Sequence, residues 1–170
     1  KIFLDHANPE IIKKYSSIID GVTTNPSLIA REQCFHGYHD AIKQITTLID
    51  GPVSVEVLNT DANLIIREAE ELASLSQNIV IKIPAGLEGF EAMKKLARKG
   101  IRTNATLIFS VNQALLAAKA GASYLSIFVG RLDDTGQDGV RVVQDIVQIV
   151  ENYGFQSEVL AASIRHPLHV

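Results

Sequence analysis

A single lysine, Lys82, interrupts the apolar run Asn78-Ile79-Val80-Ile81-Lys82-Ile83-Pro84. Charged side chains are rarely buried, because an ammonium loses its hydration unless it is paired or gives up its proton. Burial favours the neutral amine. A neutral amine is a nucleophile, and its natural electrophile is a ketone or aldehyde, with which it forms a Schiff base. A lysine on an exposed strand edge is the competing reading, since edge strands carry lysines that discourage pairing with other chains.

Other residues with chemical potential stand at the ends of similar runs. Asp5 closes Lys1-Ile2-Phe3-Leu4-Asp5, and is either a general acid/base or the cap of a following helix. Glu56 interrupts Val53-Ser54-Val55-Glu56-Val57-Leu58, facing either solvent or Lys82. In Thr23-Thr24-Asn25-Pro26-Ser27, Asn25 or Ser27 can cap a helix. Asn104 and Thr106 are two apart, so they share one face of a strand. Arg131 and Arg165 follow strand-like runs and could hold a phosphate, or could be surface arginines in weak ion pairs. His36 and His39, and His166 and His169, have i,i+3 spacing but no accompanying cysteine or carboxylate pattern, so loop or surface histidines are expected. Asp133, Asp134 and Asp138 lack the spacing of a calcium loop and read as a solvated loop and helix start.

These residues need elements to position them. Strand-like runs occur at 2–4, 21–24, 53–58, 79–83, 103–108, 124–129 and 159–163. Six helical stretches separate them. One begins at Asn8-Pro9-Glu10, with asparagine as N-cap and proline in the first turn. Others cover 63–75, 89–98, 111–120 and 139–153. Gly100, Gly121 and Gly154 are placed for left-handed C-caps. Strands alternating with helices predict parallel βαβ units, and nearly continuous apolar strands predict cover on both faces. The polar residues fall at the C-terminal halves of the strands. A (β/α)₈ barrel brings such positions to one mouth, whereas an open sheet spreads them. No glycine-rich nucleotide motif supports the open sheet. One α/β barrel domain over residues 1–170 is the expectation. Its eighth strand and last helices are missing from the sequence, so the barrel is expected to be incomplete at the C-terminus.

Composition limits the function classes. The 170 residues are 46% hydrophobic and 21% charged with net charge −3, which suits a globular core and argues against nucleic-acid binding. The single cysteine cannot make an internal disulfide, and no apolar stretch is long enough for a membrane span. A cytoplasmic protein is the expectation.

Together the stretches Phe3-Leu4-Asp5, Gly21–Ser27, Val53–Val57, Ile81–Pro84, Thr103–Ser110, Phe128–Arg131 and Ala161–Arg165 resemble, in order and from end to end, the transaldolases of the short subfamily, which includes the fructose-6-phosphate aldolases. The resemblance implies a class I aldolase-type (β/α)₈ TIM barrel acting on sugar phosphates without metal or cofactor, in the non-oxidative pentose phosphate pathway. It implies Lys82 as Schiff-base lysine, Asp5 as acid/base, and Glu56 with Thr106 as holders of a catalytic water. It implies Asn25, Asn104 and Ser126 as hydrogen-bonding groups for substrate, and Arg131, Ser163 and Arg165 as a phosphate clamp. Glu56 and Phe128 match the transaldolase branch; the aldolase branch typically has glutamine and tyrosine there. A homo-oligomeric ring, a pentamer or decamer, is also implied. Aldolase activity, or an inactive sugar-phosphate-binding or scaffold role, is the alternative. His6 and Ile127 depart from the family pattern, which usually has threonine or serine and proline there.

Overall fold

The computed structural model describes all 170 residues. Seven strands, all pairing in parallel, and eight α-helices give an α/β fold. The elements are β1 (Phe3–Asp5), α1 (Pro9–Tyr15), β2 (Gly21–Thr23), α2 (Pro26–Arg31), α3 (Tyr38–Thr46), β3 (Val53–Glu56), α4 (Ala62–Ala73) and β4 (Ile79–Pro84). There follow α5 (Leu87–Arg98), β5 (Thr103–Ile108), α6 (Val111–Lys119), β6 (Tyr124–Phe128), α7 (Val129–Asp134), α8 (Gly139–Tyr153) and β7 (Glu158–Ala162). A short 3₁₀ turn covers Pro167–His169.

The helix boundaries follow the local chemistry. Asn8 accepts the N–H groups of Glu10 and Ile11, and Pro9 occupies the first turn of α1. Gly100, Gly121 and Gly154 take positive φ after α5, α6 and α8, as the C-cap reading requires. Two features differ from the sequence reading. The connection from β2 to β3 holds two helices: α2 ends where Glu32 turns to extended backbone, and α3 starts after Gly37 at φ 136°. Val129, expected to end a strand, instead begins α7.

The chain forms two compact units, Lys1–Asn59 with Leu64–Lys82, and Thr60–Asn63 with Ile83–Val170. In the first, Phe3 pairs with Gly21, Val22 with Val53, and Val53 with Ile79. Its core includes Ile12, Ile42, Ile45, Leu72 and Ile81. In the second, β5 pairs with β6 and β6 with β7, over a core that includes Ile83, Met93, Leu96, Ile108, Leu125, Ile127 and Leu132. The β5–β6 register shifts between Ala105 and Ile108, where Leu107 has φ 56°. Such an irregularity bends a strand and re-aims its side chains.

Candidate active site

In the first unit, register places the candidate groups on one face. Asp5 pairs with Thr23, Thr23 with Ser54, and Glu56 with Lys82. Partners in a parallel ladder project the same way, and residues two apart share a face. Asp5, Thr23, Ser54, Glu56 and Lys82 therefore point to the same side. Lys82 is only 6% exposed, which removes the strand-edge reading. Its Nζ lies 3.2 Å from Glu56 Oε2 and donates to the Thr24 carbonyl at 3.0 Å. That carbonyl is held in place because both the Thr24 N–H and its hydroxyl donate to Ser54 O, at 3.0 and 2.9 Å. The nitrogen is thus buried, aimed and beside a carboxylate able to exchange a proton with it.

Asp5 is exposed, and its Oδ1 accepts the Thr23 hydroxyl at 2.8 Å. Asn25 caps α2: its side-chain oxygen accepts the Leu28 N–H at 2.9 Å, leaving the side-chain NH₂ as the free donor. The capping reading and a substrate-binding role are therefore compatible, since they use different atoms. Tyr38 was not singled out from sequence, yet its hydroxyl donates to the Glu56 carbonyl at 2.5 Å. Burial, and then the Glu56 and Glu68 carboxylates, push the Tyr38 phenol well above its ordinary range. The phenol stays a proton donor that fixes the Glu56 backbone. Nothing in the pattern marks Tyr38, because it starts α3 after an irregular segment.

The second unit gathers the remaining candidates. Asn104 and Ser126 are buried and joined, with the Ser126 hydroxyl donating to Asn104 Oδ1 at 2.8 Å. Thr106 is fully buried, and its hydroxyl has no hydrogen-bond partner. Such a group is costly unless something completes it, such as a water or a ligand. Phe128 packs edge-on against Phe109, with ring centroids 5.7 Å apart. Ser163 has φ 56°, and its carbonyl accepts the Gly130 N–H at 3.0 Å.

The two arginines differ. Arg165 makes a bidentate pair with Asp134, at 2.5 and 2.7 Å. The guanidinium holds the Asp134 carboxyl below the usual carboxylate range. Arg131 is exposed and, with Asp134, lines an open cleft of about 350 Å³ that also includes Phe109, Leu132, Thr135 and Gln137. Arg131 is available to an anion as it stands; Arg165 reaches one only by sharing or leaving Asp134. Asp134, read from sequence as part of a solvated loop, is in fact the last residue of α7 and the partner of a candidate clamp residue.

The chain matches the Transaldolase/Fructose-6-phosphate aldolase family over residues 2–170. Its relatives include a "Probable transaldolase" of Methanococcus maripaludis at 54% identity and one of Carboxydothermus hydrogenoformans at 58%, each aligned with 100% of this chain and 79% of the relative. Among solved structures, a lactate oxidase of Pediococcus acidilactici superposes with TM-score 0.69 at 12% identity, over 99% of this chain and 58% of that one. That likeness shows the fold. No helix is long and apolar enough to cross a membrane.

Proposed function

The chain belongs to the Transaldolase/Fructose-6-phosphate aldolase family, and from that premise we propose that it is a transaldolase working through a Schiff base on Lys82. The observation that carries the reading is Lys82 itself: a buried amine held between the Thr24 carbonyl and the Glu56 carboxylate. A structural lysine has no need of burial, and burying one without a use is costly.

In the proposed reaction, Glu56 takes a proton from the Lys82 ammonium, and Nζ adds to the C2 carbonyl of a ketose phosphate. Loss of water from the carbinolamine gives the iminium. Asp5 takes the C4 hydroxyl proton, and the C3–C4 bond breaks. Its electrons pass to the iminium, leaving an enamine of dihydroxyacetone on Lys82, and an aldose phosphate departs. A second aldose phosphate enters and the steps run backward. Sedoheptulose 7-phosphate or fructose 6-phosphate is the donor, within the non-oxidative pentose phosphate pathway.

The unpartnered Thr106 hydroxyl supports its part in holding a water for these proton transfers. Asn25, Asn104 and Ser126 are assigned to sugar hydroxyls, Phe128 to the substrate wall, and Arg131, Ser163 and Arg165 to the phosphate. Transfer rather than release of free dihydroxyacetone is favoured by Glu56 and Phe128, the residue types of the transaldolase branch. The fold assigned with this activity is the (β/α)₈ barrel of the class I aldolases, in a homo-oligomeric ring in the cytoplasm. The test is borohydride trapping with fructose 6-phosphate, followed by peptide mass analysis. Hydride addition to the iminium leaves a stable amine on Lys82; folded protein with no adduct there refutes the reading.

A further inference from the structure

We propose that Asp133, His166 and His169 form a binding site for one divalent transition-metal ion of the zinc class. A ligating atom from each of the three lies within 4.8 Å of the other two. The sequence conceals this, because the histidine pair has its carboxylate on α7, more than thirty positions earlier. His169 supplies the independent sign of a ligand. Its side chain is only 3% exposed, and its Nε2 sits 2.9 Å from Asp133 Oδ2 without the alignment of a hydrogen bond. A buried ring nitrogen aimed at a carboxylate yet unsatisfied by it is an incomplete arrangement, and a metal ion between the two completes it.

The surrounding groups orient the donors. Asp133 Oδ1 accepts the Gly139 N–H at 2.9 Å, which fixes the carboxylate and leaves Oδ2 for the ion. The His166 and His169 rings stand 3.7 Å apart, tilted by 54°, so both can turn their nitrogens to a common point. Donors on one tetrahedral zinc stand roughly 3.3 Å apart, given bonds of about 2.0–2.1 Å. The Asp133–His169 pair, at 2.9 Å, must therefore open slightly, while the contacts to His166, within 4.8 Å, must close. His169 Nδ1 accepts the Arg165 N–H at 3.2 Å. Ligation through Nε2 moves the ring proton to Nδ1 and gives up that long contact. Two imidazoles and one carboxylate suit zinc, cobalt or nickel rather than magnesium or calcium, with the fourth position left to water. The ion would pin the 166–169 turn, which follows Arg165, to α7, which carries Arg131.

The test is titration of chelator-treated protein with Zn²⁺ and Co²⁺, read by calorimetry, by cobalt absorption and by melting temperature. One ion per chain is expected, with a cobalt spectrum of tetrahedral type and a raised melting temperature. His166 and Asp133 are exposed, so His166→Ala and Asp133→Asn can be made without emptying the core. Each should weaken binding about tenfold or more, while His39→Ala on another surface leaves it unchanged. No saturable uptake, or uptake unaffected by both His166→Ala and Asp133→Asn, overturns the proposal.

Discussion

Replacing Lys82 with methionine tests the active-site reading and the burial argument together. Methionine retains most of the side-chain volume but removes the charge, leaving Glu56 without its cation. Charges 3.2 Å apart attract by about 5 kcal/mol at an effective dielectric of about 20, before desolvation is subtracted. Breaking a buried pair typically costs about 3–5 kcal/mol. The side chains here are 8% and 18% exposed, and water reaches Glu56, so the low end applies: a loss of about 3 kcal/mol. For a chain of this length that lowers the melting temperature by about 6–12 °C. Glu56→Gln keeps the shape and should cost about 1–2 kcal/mol. In the double variant no stranded carboxylate remains, so the two losses should not add, and a coupling of about 1–3 kcal/mol is expected. Urea unfolding of the four proteins measures the cycle, and borohydride trapping on the same samples measures the chemistry. Additive losses refute the buried pair. Trapping that persists on Lys82→Met refutes the nucleophile.

Further outcomes follow from α7 and its neighbours. A Cβ at Gly130 would stand 2.4 Å from the Ser163 carbonyl and 2.6 Å from Arg165 Nε, so Gly130→Ala should destabilise by about 1–3 kcal/mol and displace Arg165, read by urea unfolding and by weaker fructose 6-phosphate binding. Asp134→Asn should strengthen inorganic phosphate binding, because it releases Arg165. Since Arg165 depresses the Asp134 carboxyl, this pair's contribution is present above the ordinary carboxylate value and lost as pH falls through the lower folded value. The melting-temperature gap between parent and Asp134→Asn should therefore be present at neutral pH and close only below the usual carboxylate range.

Much of this was legible in the sequence because the signals were local. Apolar runs bounded by caps and glycines fixed the alternation of strands and helices, and a lone lysine in such a run was informative because burial of a charge needs a reason. What stayed hidden depended on distant partners. Glu56 could face either way until its register with Lys82 was known. Tyr38 carries no spacing signal, and its importance comes from one hydroxyl reaching a strand-end carbonyl. The extra helices begin after Gly37 and at Val129, and neither start has a side-chain cap to announce it. His166 and His169 have no carboxylate near them in the sequence, and Asp133 comes close to them only through the fold.

An anion site built from unpaired arginines would expose two strong charges near one another at all times, with repulsion as its cost. Here Asp134 neutralises Arg165 through two hydrogen bonds and leaves Arg131 open. A phosphate competing for Arg165 must displace a carboxylate of similar fork geometry, so only a ligand with further contacts gains by doing so. A sugar phosphate has such contacts through its hydroxyls; free phosphate does not. On the proposed reading, the Asp134–Arg165 pair favours a sugar phosphate over its isolated phosphate end, and Asp134→Asn should lessen that discrimination by improving inorganic phosphate binding more than it improves binding of fructose 6-phosphate.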